Sequence, residues 1–161
     1  MSDADKTDKL WEMMADIRVA MLTTDAGGSL ESRPMSAFVD RDADLVWFIT
    51  RADSEKTHEI APGSPVNLAF ADASANSFVS VSGTAEVVRD VQKQKDLWNA
   101  FAEAWMPEGP EAATTALIKV TPRHATLWDS PGKLVQLFEV ARANLTQTPP
   151  KGNDVAHIDL N

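Results

Sequence analysis

LVWFITRADSEKTH, residues 45–58, joins a short apolar run to a polar segment that is typical of the start of a helix. The apolar run ends at Thr50, and Ser54 and Lys56 follow it at the turn. Hydroxyl groups, a cation and the free N–H groups of a helix start are features that bind phosphate in proteins. The pattern leaves two interpretations, a phosphate site or an ordinary capped helix with solvated charges.

The strand before this stretch supplies a second cation. Residues 30–39 and 45–50 are predicted to be strands joined by a polar turn at 40–44, which is typical of a β-hairpin. In such a hairpin Arg33 lies opposite the end of the second strand, where its guanidinium can bind a phosphate through two parallel hydrogen bonds. Pro34 indicates that the first of these strands is at an edge or carries a bulge.

Hydrophobic periodicity and turn residues predict the remaining elements. The predicted strands are 19–24, 30–39, 45–50, 66–72, 77–88 and 115–128, the last interrupted near Pro122. The predicted helices are 6–19, 54–61, 91–105 and 132–143. Gly83 in the fifth strand indicates a bulge or a close backbone approach. Because the strands follow one another on short turns and do not alternate with helices, the order favours an antiparallel sheet or barrel over a doubly wound parallel sheet.

Three tryptophans have predicted environments. Helix 91–105 is expected to place Trp98 and Trp105 towards the core, beside Leu97 and Phe101 on its apolar side. Trp128 lies at the end of a strand, immediately before a turn. It can pack in the core or face a planar ligand, and the residues alone favour the core.

Composition and motifs exclude several classes of function. The formal net charge of −9 argues against non-specific binding to nucleic acids or anionic membranes. The absence of cysteine excludes disulfides and thiolate metal sites. No P-loop, dinucleotide-binding glycine motif or nucleophile elbow occurs. No metal site is predicted, because metal-ligand spacing is lacking among the histidines His58, His124 and His157.

Residues 1–145 are predicted to form one domain, followed by a polar, mobile tail over 146–161. The N-terminus is charged and has no apolar segment typical of a signal peptide. No apolar run approaches the roughly 20 residues that a membrane-spanning helix needs. These features predict a soluble, cytoplasmic protein.

Six segments, in this order, carry a resemblance to a known family. They are SRPMSAF (32–38), LVWFITRADSEKTHEI (45–60), VNLAFAD (66–72), FVSVSGTAEVVRD (78–90), LWNAFAEAWMPEG (97–109) and TLWDSPGKLVQLF (126–138). Together they resemble the general-stress-protein branch of the pyridoxamine 5′-phosphate oxidase-like flavin-binding split barrels, over about residues 6–145. The resemblance implies a mainly β fold with peripheral helices, a six-stranded antiparallel split β-barrel. It also implies a homodimer with two equivalent FMN sites at the subunit interface.

The resemblance also implies which residues hold FMN. The flavin phosphate is expected at Arg33, Ser54 and Lys56, with Arg33 also near the ribityl oxygens. The isoalloxazine ring is expected along Pro34, Met35 and Ser36, mainly against their backbone. Ile49 and Thr50 are expected beside the ring and the ribityl chain, and Trp128 is expected to approach the flavin from the other subunit. The resemblance therefore favours the phosphate interpretation of residues 45–58.

Three departures separate the chain from the pyridoxamine phosphate oxidases themselves. Phe38 stands where those enzymes carry a basic residue, and Ser54-Glu55-Lys56 stands in place of Ser-Arg-Lys. KLVQLFE (133–139) replaces the Arg-His-Arg cluster that clamps their substrate. We therefore do not expect this chain to oxidise pyridoxamine phosphate.

The functional expectation is an FMN-dependent oxidoreductase of the general-stress type, with no side chain predicted to act as an acid or base and with donor and acceptor unassigned. Two alternatives remain open. One is a non-catalytic protein for flavin binding or redox sensing. The other is a barrel that holds haem, FAD or a deazaflavin.

Overall fold

The computed structural model describes residues 2–150 and 154–160. Within these ranges the chain forms eight strands and five helices. The strands are β1 Val19–Asp25, β2 Leu30–Ser36, β3 Phe38–Asp40, β4 Leu45–Arg51, β5 Ser64–Asp72, β6 Ser77–Val88, β7 Thr115–Asp129 and β8 Asp154–Asp159. The helices are α1 Asp3–Ile17, α2 Glu55–Glu59, α3 Val91–Leu97, α4 Ala100–Trp105 and α5 Lys133–Thr146. None of these helices combines the length and the hydropathy that crossing a membrane requires.

One antiparallel sheet contains every strand, in the order β2-β1-β5-β6-β7-β4-β3, with β8 paired to β7. The two ends of this order, β2 and β3, are neighbours in sequence and are separated only by Ala37. The chain thus crosses from one edge of the curled sheet to the other at this residue, where the Ala37 N–H donates to the Arg18 carbonyl oxygen at 2.7 Å. The predicted class, a mainly β antiparallel split barrel, is confirmed.

The strand count differs from the prediction for two reasons. The predicted strand 30–39 pairs with β1 up to Ser36 and with β4 from Phe38, so it forms two strands. Residues 154–159 add β8, in which Ile158 is buried opposite Ala125 of β7. This corrects the prediction of a mobile tail over 146–161 for the part that is paired in the sheet. Residues 151–153 and 161 of that tail lie outside the described residues.

The core lies between α1 and one face of the sheet. Alternate residues of the strands point inward, as in β5, where Val66, Leu68 and Phe70 are buried. α1 covers this face with Leu10 and Met14, both fully buried. Burying a side chain of this size stabilises the fold by about 1.5–3 kcal/mol. The core therefore fixes β1 and β4, and β2 is held by its pairing with β1.

The bulge expected at Gly83 is confirmed, and it explains why β7 stays continuous through Pro122. The pairing of β6 with β7 shifts by one residue between Ser82 and Gly83, and Gly83 is opposite Pro122. A Cβ atom at Gly83 would lie 2.3 Å from the Thr121 carbonyl oxygen, which is closer than the two atoms can approach. The close backbone approach thus requires glycine.

The predicted helix 91–105 is two helices. The chain leaves the helical conformation at Trp98 and Asn99, and the Asn99 side chain starts α4 by accepting a hydrogen bond from the Ala102 N–H at 2.9 Å. The prediction that Trp105 faces the core is wrong, because Trp105 is 70% exposed. Trp98 is half-buried, and its indole N–H donates to a Glu103 carboxylate oxygen at 2.6 Å.

Candidate functional site

A cavity of about 410 Å³ opens between β2, β4, α2 and α4. Three segments that are distant in sequence form its walls, namely the second half of β2 with Phe38, the end of β4 with the following helix, and the segment around α4. The lining residues are Arg33, Pro34, Met35, Ser36, Phe38, Ile49, Lys56, Asn99, Phe101, Ala102, Trp105 and Met106. Its volume is within the range typical of sites for small molecules and cofactors.

Arg33 is oriented by two partners at the cationic end of the cavity. Its Nη1 donates to Thr24 Oγ1 at 2.6 Å, and its Nη2 lies 3.1 Å from Glu59 Oε2. The Thr24 hydroxyl in turn donates to the same Glu59 oxygen. Because three side chains are mutually bonded, the guanidinium is fixed in position before any ligand binds. Both charged side chains are largely buried, at 24% exposed for Arg33 and 17% for Glu59.

Lys56 is the second cation of the cavity. Burial lowers the pKa of its ammonium group below the ordinary value, and the charge of Arg33 lowers it further, while Glu59 acts in the opposite direction. A half-buried cation beside another cation is poorly compensated. The arrangement favours the binding of an anion that contacts both groups, because the anion would replace the contacts with water that the two cations lose on burial.

Glu59 was not singled out from the sequence, although a signal exists. It follows Lys56 by three residues in α2, and residues at that spacing lie on the same side of a helix. The hydrogen bond from Thr24 and the charge of Arg33 hold the pKa of the Glu59 carboxyl below its ordinary value. The carboxylate is therefore ionised at neutral pH and competes with any bound anion for Arg33.

The predicted residues of β2 and β4 line one cavity, but the prediction that Arg33 lies opposite the end of β4 in a hairpin is wrong, because β2 pairs with β1. β2 is an end strand of the sheet, which confirms the edge position predicted from Pro34. The structure brings together, on one cavity, the predicted residues Arg33, Pro34, Met35, Ser36, Ile49 and Lys56. Phe38 also lines the cavity, so the position that departs from the pyridoxamine phosphate oxidases contributes an apolar side chain there.

Thr50, Ser54 and Trp128 do not line this cavity. Thr50 follows Ile49 on β4, and neighbouring strand residues point to opposite faces, so its side chain is buried instead. The Ser54 hydroxyl donates to Thr57 Oγ1 at 3.3 Å and does not cap α2. The assignment of Thr50 and Ser54 to the flavin stays a prediction.

Trp128 lies at the opposite end of β7 from the part that pairs with β4. Residues 115–120 of β7 pair with β4, whereas Trp128 pairs with Phe78 and Val155. Its own chain therefore keeps it away from the cavity. Its predicted contact with flavin involves a second subunit and also stays a prediction.

The aromatic wall, which we define as Phe101 and Trp105, was missed by the sequence analysis as part of a site. Both side chains line the cavity, and they are 62% and 70% exposed. Their ring centroids are 6.1 Å apart and the rings are inclined by 48°. The cavity thus has a cationic end and an apolar, aromatic remainder. Among the described residues no cluster of His, Asp or Glu is arranged to hold a metal ion.

The chain matches one family model over most of its length and one curated protein. Residues 5–151 match the family described as pyridoxamine 5′-phosphate oxidase like. Protein bli-3 of Neurospora crassa is 26% identical over 165 residues, which cover 95% of this chain and 79% of that protein.

Two crystal structures extend the likeness to the fold. A candidate general stress protein 26 from Jannaschia sp. CCS1 superposes with a TM-score of 0.82 at 28% identity, covering 98% of this chain and 99% of that one. The general stress FMN/FAD binding protein of Xanthomonas citri gives a TM-score of 0.72 at 27% identity, covering 81% of this chain and 92% of that one.

Proposed function

The chain belongs to the pyridoxamine 5′-phosphate oxidase-like family, and from that premise we propose that it binds FMN and acts as a flavin-dependent oxidoreductase. The observation that carries the proposal is the division of one cavity into a cationic end and an apolar remainder. FMN has the same division, since a phosphate is at one end of the molecule and a planar ring system is at the other. The bound flavin would supply the electron-transfer chemistry, and the protein would bind and orient it.

The phosphate would be held by Arg33 and Lys56. Arg33 offers a planar fork of N–H donors, and Lys56 offers a point charge. Arg33 is already fixed by Thr24 and Glu59, so little side-chain entropy is lost when an anion binds. α2 has only five residues, so the phosphate would be held by the two side chains and not by the helix end.

The ring system would occupy the part of the cavity lined by β2, Ile49 and the aromatic wall. This region carries apolar side chains and strand backbone, which suits a flat heterocycle whose polar edge needs hydrogen bonds. The Xanthomonas citri protein, which is described as FMN/FAD binding, supports a flavin in preference to haem. FMN fits better than FAD, because FMN ends in a single phosphate that Arg33 and Lys56 can bind.

A second candidate function is flavin storage or redox sensing without turnover. It is favoured by the charges of the cavity: among the described lining residues the charged ones are Arg33 and Lys56, and both are cations. Neither is suited to act as a general base near neutral pH while it binds a phosphate. An oxidoreductase would turn over repeatedly with a specific electron donor and acceptor, whereas a storage protein would release its flavin unchanged.

We also propose that the protein is a two-fold symmetric homodimer. The support is a set of exposed apolar side chains on α5, a feature that marks interaction surfaces. Leu134, Leu137, Phe138 and Leu145 are between 67% and 86% exposed. Burial against a second copy would remove this surface from water, and it would allow the partner to complete the flavin site.

A visible absorption spectrum tests the proposal. Purified protein is mixed with excess FMN, separated from free flavin by gel filtration, and scanned across the visible absorption bands of oxidised flavin. We expect the flavin bands to elute with the protein at a near-stoichiometric ratio. Elution of the protein without flavin, at micromolar concentration, would contradict the proposal.

A further inference from the structure

Phe101 and Trp105 are large apolar side chains that the fold leaves exposed inside a concave site. Their exposure is not a consequence of a loose helix end. Asn99 starts α4 through its side chain, and Ala102 and Met106 are buried on the inner side, at 8% and 7% exposed. The short helix is therefore anchored, and its anchoring holds the two aromatic rings at the cavity.

The spacing of the two residues places their rings next to each other. Residues four apart lie on the same side of a helix, so Phe101 and Trp105 point together. Because their rings are inclined by 48°, a flat ligand can lie face to face on one ring only and meets the other ring by an edge. Trp105 is the larger and the more exposed of the two, which makes it the ring that offers a face.

We propose that Trp105, supported by Phe101, is the surface against which the isoalloxazine ring lies, in the same chain that supplies Arg33 and Lys56. The inference rests on the proposed function. The cationic end determines the direction of the ligand, because the phosphate is attracted to Arg33 and Lys56 and the ring is left to the apolar part. Trp105 then recognises the ring system and not the phosphate.

This division of roles predicts two distinct mutational signatures. Replacement of Trp105 weakens the binding of any ligand that carries the ring, so riboflavin and FMN are affected alike. Replacement of Lys56 weakens the binding of FMN alone. Trp105 in contact with the ring also quenches flavin emission by electron transfer from the indole, so its removal makes bound flavin more fluorescent.

The test compares Trp105→Leu with the wild type, with the conservative variant Trp105→Phe and with the matched control Trp98→Leu. Trp98 is in the same segment, and its indole contacts Glu103 instead of the cavity. Riboflavin and FMN are titrated into each protein, and the dissociation constant and the emission of bound flavin are measured. Circular dichroism and light scattering check folding and mass.

We expect Trp105→Leu to raise both dissociation constants about tenfold and to brighten bound flavin, which corresponds to the loss of a stacked aromatic contact. Trp105→Phe should retain most of the affinity, and Trp98→Leu should match the wild type. The inference would be overturned if folded Trp105→Leu had unchanged riboflavin affinity and emission. It would also be overturned if this variant dissociated from dimer to monomer without an effect on flavin binding. In either case a dependence of FMN binding on Lys56 would still support the proposed phosphate site. A wild-type protein that binds neither flavin would refute the proposed function itself.

Discussion

Lys56→Ala removes one of the two cations from the proposed phosphate end and leaves the rest of the cavity in place. The ammonium group is half-buried and its pKa is lowered, chiefly by burial and further by Arg33. A charge-assisted hydrogen bond from such a group to a phosphate contributes about 1.5–3 kcal/mol. Some of this is offset, because the variant no longer places two like charges near each other. We therefore expect FMN to bind more weakly by about 1–3 kcal/mol, roughly 5- to 150-fold.

The same substitution should leave riboflavin binding nearly unchanged, because riboflavin lacks the phosphate. Flavin titration followed by fluorescence measures both dissociation constants. Lys95→Ala is a matched control, since Lys95 is paired with Glu111 on the protein surface and does not line the cavity. The stability of the unliganded protein should not fall in Lys56→Ala, because burial disfavours the charged form of this lysine in the folded state. Equal losses for FMN and riboflavin would refute the phosphate assignment.

Five further predictions concern the charges, the assembly and the substrate. Glu59→Gln should tighten FMN binding several-fold without changing riboflavin binding, because an amide oxygen can still accept from Arg33 while the competing negative charge is gone. Weaker FMN binding in this variant would contradict the competition. The pKa of Glu59 is lowered in the folded state, so its carboxylate stabilises the fold above the unfolded value of about 4.5, and this stabilisation is lost as the pH falls through the folded value. The difference in unfolding free energy between wild type and Glu59→Gln should therefore disappear at acidic pH. Light scattering should give twice the 17.5 kDa chain mass, and a monomer that still binds FMN would contradict an interface site. Trp128→Leu should make bound flavin more fluorescent only at concentrations at which the dimer forms. The wild-type protein should produce no peroxide from pyridoxamine phosphate.

The sequence predicts the sheet well because the strands carry a simple signal. In β1 and β5 one residue in two is buried, and this alternation is visible in the order of apolar residues. The hairpin predicted from the polar turn at 40–44 forms only between β3 and β4, whereas Arg33 on β2 pairs with Leu22 of β1. Residues 30–40 form β2 at one edge of the sheet and β3 at the other. The order of apolar residues does not show this division, because β2 and β3 have no consistent buried face.

The orientation of α4 is beyond the reach of periodicity. The six-residue helix carries apolar side chains on two adjacent sides, through Phe101 and Trp105 and through Ala102 and Met106. Periodicity predicts that an apolar side of a helix is buried, but it does not predict which of two apolar sides. Here the side with the smaller side chains, Ala102 and Met106, is the buried one. β8 was missed for a related reason, because its alternation is short and Ile158 is its one buried residue.

The ratio of the riboflavin and FMN dissociation constants of the wild-type protein tests the central claim most directly. The two ligands share the ring system and the ribityl chain and differ by the phosphate that we assign to Arg33 and Lys56. FMN should bind more tightly than riboflavin by about tenfold or more at low ionic strength, and added salt should reduce this difference. Equal dissociation constants for the two flavins at low ionic strength would contradict the assignment of the phosphate to Arg33 and Lys56.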